Sequence, residues 1–307
     1  MTEPPADVAA LVARRTQARD DKDFAESDRL RDEALALGWV VRDTPVGPVV
    51  APRPPYDVLA SVDALPDNSA APDARRCTVA LLVDGWADDV RTCVTALLEH
   101  SPDDVVVVLL DNGSDAGAVV HELARAHPGR VEELHVERAA GWSQARQALV
   151  RADTARVHVQ LDVSTVLEGD ALTPLLDALE DDTVAAAGWR GVRVDDGWTS
   201  FTDAPAGEVE ALLGYLLAVR RRAALEVPLP PKARFYRNAD MEWGFLVREA
   251  LGPAGRLVAV DVPVRQDRHR GYHDTDPAYR DKESKKTYDR FLQRFRGRED
   301  LRLGAPG

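Results

Sequence analysis

The chain predicts an α/β fold, a mostly parallel sheet flanked by helices, preceded by a small helical hairpin module. Three observations lead there. From Cys77 onward, aliphatic runs such as "CTVALLV" and "DVVVVLLD" alternate with stretches of helical periodicity such as "DDVRTCVTALLEH". These runs are apolar throughout rather than at every second residue, as expected of strands covered on both faces. Before Cys77 the pattern differs: two helical stretches come first, followed by a segment rich in Pro, Ala and Asp.

The elements follow in order. "DVAALVARRTQARD" carries Val8, Leu11 and Val12 at helical spacing, and "DFAESDRLRDEALALG" carries Phe24, Leu30, Ala34 and Leu37 before a stop at Gly38. "WVVRDTPVGPVV" alternates and turns around Pro45 and Gly47, which suits a short β-hairpin. Residues 1–50 thus form one helical unit, and residues 51–76 read as a linker. In the domain from 77 to 298, "VEELHV", "GWSQARQALVRAD" and "ARVHVQLD" continue the strand–helix alternation. The domain closes with a basic amphipathic helix whose stripe is Tyr288, Phe291, Leu292 and Phe295, flanked by Lys285, Lys286, Arg290 and Arg294. Such a stripe packs on its parent domain. Residues 299–307 are a tail.

Composition narrows the function. The 307 residues are 45% hydrophobic and 30% charged, with a formal net charge of -13, which argues against a general grip on nucleic acid or anionic lipid. Cys77 and Cys93 are the two cysteines and show neither metal spacing nor a disulfide framework, so a cytoplasmic location is expected. No stretch is long and apolar enough for a transmembrane segment, and "MTEPPADVAALVARR" lacks a signal-peptide pattern.

Three strands end in acids at what should be one sheet edge: "LLVDGW" (Asp84), "VLLDNGSD" (Asp111) and "VQLDVS" (Asp162). Ligands of parallel sheets bind at the carboxyl ends of strands. A single Asp there is an ordinary cap. Three together repel, by roughly 4 kcal/mol for a pair about 4 Å apart at moderate dielectric, unless a cation or a ligand's donors sit among them.

Two resemblances add to this reading. The run "RRTQARDDKDFAESDRLRDEALALGWVVRDTPVG" resembles the carboxy-terminal appendage of cysteinyl-tRNA synthetases. Acidic residues outnumber basic ones in it, so protein docking rather than RNA binding is expected of residues 1–50. From Cys77 to about Arg296 the chain resembles family-2 glycosyltransferases of the GT-A fold. The resemblance rests on "DNGSD", "AAGWSQARQALVRAD", "LDVST", "GYLLAVRRRAAL" and "NADMEWGFLVREAL", in that order.

The second resemblance implies an inverting glycosyltransferase that uses a nucleoside-diphosphate sugar and an unknown acceptor hydroxyl. Asp111 would face the donor's base or ribose, with Ser114 and Asp115 shaping the loop and Asp84 as a neighbour. Arg146 would reach a phosphate or else lie on a solvated helix face. Asp162 matches the first carboxylate of the family's metal motif, and Ser164 stands where the later one is usual. His269 would complete a site for Mn or Mg, with His273 a weaker choice. Asp240 matches the family's general base, Ala239 replaces the usual Glu, and Glu242 is the alternative. Segment 189–208 is expected to shape the acceptor side. Ala239 and Ser164 also fit a second reading, a catalytically degenerate GT-A domain that binds nucleotide sugars or partners.

Overall fold

The computed structural model describes residues 3–44 and 47–304. They fall into two compact units, Met1–Asp57 and Val58–Gly307.

The first unit is a helical hairpin followed by a β-hairpin. Helices α1 (Ala6–Asp20) and α2 (Phe24–Ala36) are joined by a short turn, and Asp23 caps α2 by accepting from the Glu26 N–H at 3.1 Å. Val8, Leu30 and Ala34 are buried, each contributing up to about 1.5–3 kcal/mol according to size. Phe24 and Leu37, expected on the same apolar stripe, are exposed instead, because each sits at a helix end where the stripe has run out. Strands β1 (Trp39–Thr44) and β2 (Gly47–Pro52) pair antiparallel from Trp39↔Pro52 to Thr44↔Gly47. Residues 45 and 46 of the expected turn lie outside the described residues. Arg15, almost fully buried, grips both Asp43 oxygens at 2.7 and 2.8 Å and so ties α1 to β1.

The second unit begins with β3 (Arg75–Val83), α3 (Ala87–His100), β4 (Val106–Asn112), α4 (Gly117–Ala126), β5 (Val131–Val136), α5 (Trp142–Ala152) and β6 (Ala155–Leu161). Next come β7 (Thr165–Leu167), α6 (Leu172–Ala178), β8 (Val184–Gly188), β9 (Gly191–Val194), β10 (Phe201–Ala204), β11 (Gly207–Val209) and β12 (Ala211–Leu212). It ends with β13 (Leu216–Arg220), α7 (Arg221–Glu226), α8 (Ala239–Leu251), β14 (Arg256–Ala259), β15 (Val264–Gln266), α9 (Arg270–His273) and α10 (Pro277–Phe295).

An eight-stranded sheet, ordered β11-β14-β8-β13-β6-β3-β4-β5, forms the frame. Strands β6, β3, β4 and β5 run parallel to one another, and β13 runs antiparallel between β6 and β8. The aliphatic runs are buried on both faces, Val79, Leu81 and Val83 toward α3 and α6, Ala80 and Leu82 toward α5.

The structure corrects two boundaries. Residues expected to be a free linker strap onto the second unit: Leu59 bridges to Val136, Val62 and Leu65 are buried, and the Asn68 side chain donates to the Ala152 carbonyl at 2.7 Å. A Pro- and Ala-rich composition lacks helical or strand periodicity, yet its few aliphatic residues still find the core. The expected tail is also docked, with Leu301 buried and Glu299 accepting from the Trp198 indole at 3.2 Å.

Helix α10 packs as its stripe requires. Phe291 and Phe295 are buried against Phe245 of α8, and Trp198 joins the cluster. Its flanking cations are paired, Lys285 with Asp289, Lys286 with Glu283, Arg290 with Glu242 and Arg294 with Glu249. Among the described residues no helix is long and apolar enough to cross a membrane.

Candidate active site

Parallel register brings the strand ends to one level. Val83 lies opposite Asp111, and Leu81 opposite Leu161. Asp84, Asn112 and Asp162 therefore converge at the carboxyl edge and line a cavity of about 390 Å3 with Trp86, Tyr236 and His269.

Asp162 is the best-supported acid there. Its Oδ1 accepts from the Ser164 N–H at 2.9 Å and from the Ser164 hydroxyl, and its Oδ2 lies 3.1 Å from His269 Nε2. Burial works to raise its pKa, but the bonds from His269 and Ser164 outweigh it and hold the carboxyl below the usual range. The Tyr236 hydroxyl lies 3.3 Å from His269 Nδ1 and the two rings pack at 4.6 Å, which sets the imidazole's orientation. Asp84 is exposed at the cavity and accepts a hydrogen bond from Asn112 Nδ2 at 2.8 Å.

The donor set suits a divalent ion in part. Adjacent ligands about 2.1 Å from an octahedral ion stand about 3 Å apart, matching the 3.1 Å between Asp162 Oδ2 and His269 Nε2. Carboxylate and imidazole are both acceptable ligands. Among the described residues, however, no three His, Cys, Asp or Glu side chains cluster as a ready cation site. Ser164, expected as a ligand, instead spends its hydroxyl on Asp162. His273 lines neither this cavity nor the next.

Three other expectations change. Asp111 turns away from the cavity: its Oδ1 accepts from the Ser114 N–H at 2.9 Å and hydroxyl at 2.8 Å, and its Oδ2 lies 3.1 Å from buried His135 Nδ1. The next residue, Asn112, faces the cavity in its place. Ser114 and Asp115 line neither cavity and serve the loop. The Asp-x-x-Ser spacing, a turn-capping pattern, was the signal that Asp111 would be consumed locally. Arg146 is neither solvated nor extended toward a ligand; it is buried, donating to the carbonyls of Ala80 at 2.9 Å and Leu161 at 3.2 Å. It acts as a fixed positive charge beneath Asp84 and Asp162. Glu242 points to the other side of α8, where Arg290 Nε donates to it at 2.6 Å.

Asp240 reaches the same region by a different route. Strand β13 pairs Leu216 with Leu161, so the residues before it run beside Asp162, whose N–H donates to the Tyr215 carbonyl at 2.9 Å. The preceding residue, Gly214, donates its N–H to Asp240 Oδ2 at 2.8 Å. A Cβ on Gly214 would lie 2.4 Å from Gln160 Nε2, which would have to shift, and 3.6 Å from Asp240 Oδ2, an ordinary contact. Asn238, in the left-handed region at φ 68°, turns the chain into α8 and sets Asp240 in the first turn. Burial pushes the Asp240 carboxyl up to about 6, against lowering bonds from the Gly214 and Met241 N–H groups.

Asp240 lines a second cavity of about 730 Å3 with Tyr215, Tyr236 and Asn238. Segment 189–208 supplies part of its wall through Thr199, Ser200, Phe201 and Asp203. Tyr236 lines both cavities, and no motif marked it in the sequence. A further hollow of about 710 Å3, near Arg156, Arg220 and Arg222, contains none of these acids.

Comparison with known proteins divides the chain in the same way. Residues 1–47 match the cysteinyl-tRNA ligase anticodon binding domain, and residues 85–240 match glycosyl transferase family 2. The chain is 47% identical over 51 residues to the cysteine–tRNA ligase of Rubrobacter xylanophilus, covering 17% of this chain and 11% of that one. It is 58% identical over 55 residues to the Nitratidesulfovibrio vulgaris enzyme, covering 18% and 10%. The chain thus spans only about a tenth of these ligases. Among solved structures, GalNAc-T7 with UDP, GalNAc and Mn2+ superposes with a TM-score of 0.57 at 17% identity, over 71% of this chain and 48% of that one. The mannosyltransferase PcManGT of Pyrobaculum calidifontis, with GDP-Man and Mn2+, gives 0.52 at 19% identity, over 72% and 63%. At these identities the structures speak for the GT-A fold alone. The match over residues 85–240 covers half the chain and contains Asn112, Asp162 and Asp240, and on it the chain belongs to glycosyl transferase family 2.

Proposed function

We propose that the protein is an inverting glycosyltransferase that moves a sugar from a nucleoside-diphosphate donor to an acceptor hydroxyl. The donor occupies the cavity at Asp84, Asn112 and Asp162, and the acceptor enters the cavity at Asp240. The position of Asp240 carries this reading. It is buried, has no cationic partner among its hydrogen bonds to the described residues, and lines the acceptor cavity, whose Tyr236 also lines the donor cavity.

In the reaction the acceptor oxygen attacks the anomeric carbon from the face opposite the diphosphate. Its proton passes to Asp240, the new C–O bond forms, and the old C–O bond breaks with its electron pair leaving on the diphosphate. A carboxyl with a pKa of about 6 is ionised at neutral pH and is a stronger base than an ordinary aspartate. Asp162 and His269 would hold a divalent ion, which when bound stabilises charge on the diphosphate. Arg146 offsets the charge of the acids below the cavity.

Incubation with a panel of nucleotide sugars and Mn2+, with release of nucleoside diphosphate as readout, tests this. Slow donor hydrolysis that vanishes in Asp240→Asn supports it. One observation favours a second reading, a binding module without turnover: among the described residues no third His, Cys, Asp or Glu joins Asp162 and His269. That reading requires donor binding with no hydrolysis by the wild type. For residues 1–50 we propose a docking role, since acidic residues outnumber basic ones there.

A further inference from the structure

The proposed donor cavity has acids at its base, yet it has to hold a diphosphate. Three arginines line it, Arg146, Arg234 and Arg270. Two are committed elsewhere. Arg146 donates to the Ala80 and Leu161 carbonyls, and Arg270 Nε lies 3.2 Å from Asp89. The Arg234 side chain is exposed and, among the described residues, has no hydrogen bond or ion pair.

Its backbone is anchored. The first N–H groups of α5, on Trp142 and Ser143, donate to the Arg234 and Ala233 carbonyls, both at 3.1 Å. Gly141 permits the contact, since a Cβ there would lie 3.2 Å from Arg234 Cα. These bonds have a second consequence. The amino terminus of α5, the usual kind of place for a phosphate, already has its leading donors occupied.

We infer that Arg234 binds the leaving diphosphate and is a catalytic residue of the site. This rests on the donor reading above. A guanidinium offers a fork of donors that matches phosphate oxygens and keeps its charge throughout. It adds a permanent positive charge beside whatever ion Asp162 and His269 would hold. No proton moves; the guanidinium becomes more tightly bound as charge builds on the departing oxygen.

Calorimetry of the full chain with UDP, GDP, ADP and CDP, each beside its nucleoside, provides the test, run with Mn2+ and with EDTA. Arg234→Gln should weaken the diphosphate that binds the wild type by about 10- to 100-fold and leave the nucleoside unchanged. Arg234→Lys should fall between. Thermal unfolding at the wild-type temperature shows that both variants are folded, as an exposed position predicts. Wild-type affinity of Arg234→Gln for the diphosphate in both conditions overturns the inference. A wild type that binds none of the nucleotides or nucleosides overturns the donor reading, and this inference with it.

Discussion

On the cleft face of α8, Asp240 accepts from the N–H groups of Gly214 and Met241 and, among the described residues, has no cationic partner. On the opposite face, two residues later, Glu242 is buried against α10 and gripped by the Arg290 guanidinium, with Nε at 2.6 Å. Both carboxyls have left water, but only one has a cation beside it. Burial pushes Asp240 up to about 6, whereas Glu242 is matched by a charge. A carboxylate paired with a guanidinium ties two helices together. One left without a cation gains affinity for a proton, which is what a general base requires.

Breaking either side separates the two roles. The largest expected effect is on the cleft face: Asp240→Asn should lower transfer by about 100- to 10,000-fold while leaving the fold intact. A variant retaining a tenth of wild-type rate removes Asp240 as the base. Next is Glu242→Gln, which leaves Arg290 facing a neutral amide and should cost about 1–3 kcal/mol of stability in denaturant unfolding. Its rate per folded molecule should match the wild type; a loss as deep as that of Asp240→Asn would make Glu242 part of the chemistry.

The pH dependence sharpens the same comparison. Transfer should fall about tenfold per unit as pH drops below about 6, where Asp240 becomes protonated. Its folded pKa lies above the ordinary 3.8, so its contribution to stability is whole below that value and is lost as pH rises through about 6. Asp240→Asn has no such loss. Its stability relative to the wild type should therefore rise between pH 4 and 7, by at most about 3 kcal/mol. A gap that stays constant across that window would show that the carboxyl titrates normally. The smallest effect belongs to the rim of the same helix pair, where Arg294 is half-exposed against Glu249. Arg294→Ala should cost under about 1 kcal/mol, measured by the same unfolding assay; a cost equal to that of Glu242→Gln would erase the distinction between core and rim pairs.

Much of the frame was legible in the chain. The runs "CTVALLV", "DVVVVLLD" and "ARVHVQLD" became β3, β4 and β6, and the acid-tipped edge followed because parallel strands of similar length end together. The apolar stripe of α10 packed as its spacing required. The site was less legible. Strand parity and a local capping bond turned Asp111 inward and brought Asn112 out. Arg146, expected at a phosphate or in solvent, went beneath the sheet edge to two carbonyls. Tyr236 and Arg234 carry no motif, and their place follows from where the loop before α8 meets α5.

The chain by itself determined its layers, its strands and which residues could bear charge, because hydrophobic period and residue chemistry are local properties. Which acid became poised and which became a strut was settled in three dimensions. The partners that decide it, Gly214 for Asp240 and Arg290 for Glu242, lie 26 and 48 residues away. Electrostatic environment depends on what folding brings within a few ångströms, and neighbours along the sequence do not reveal it.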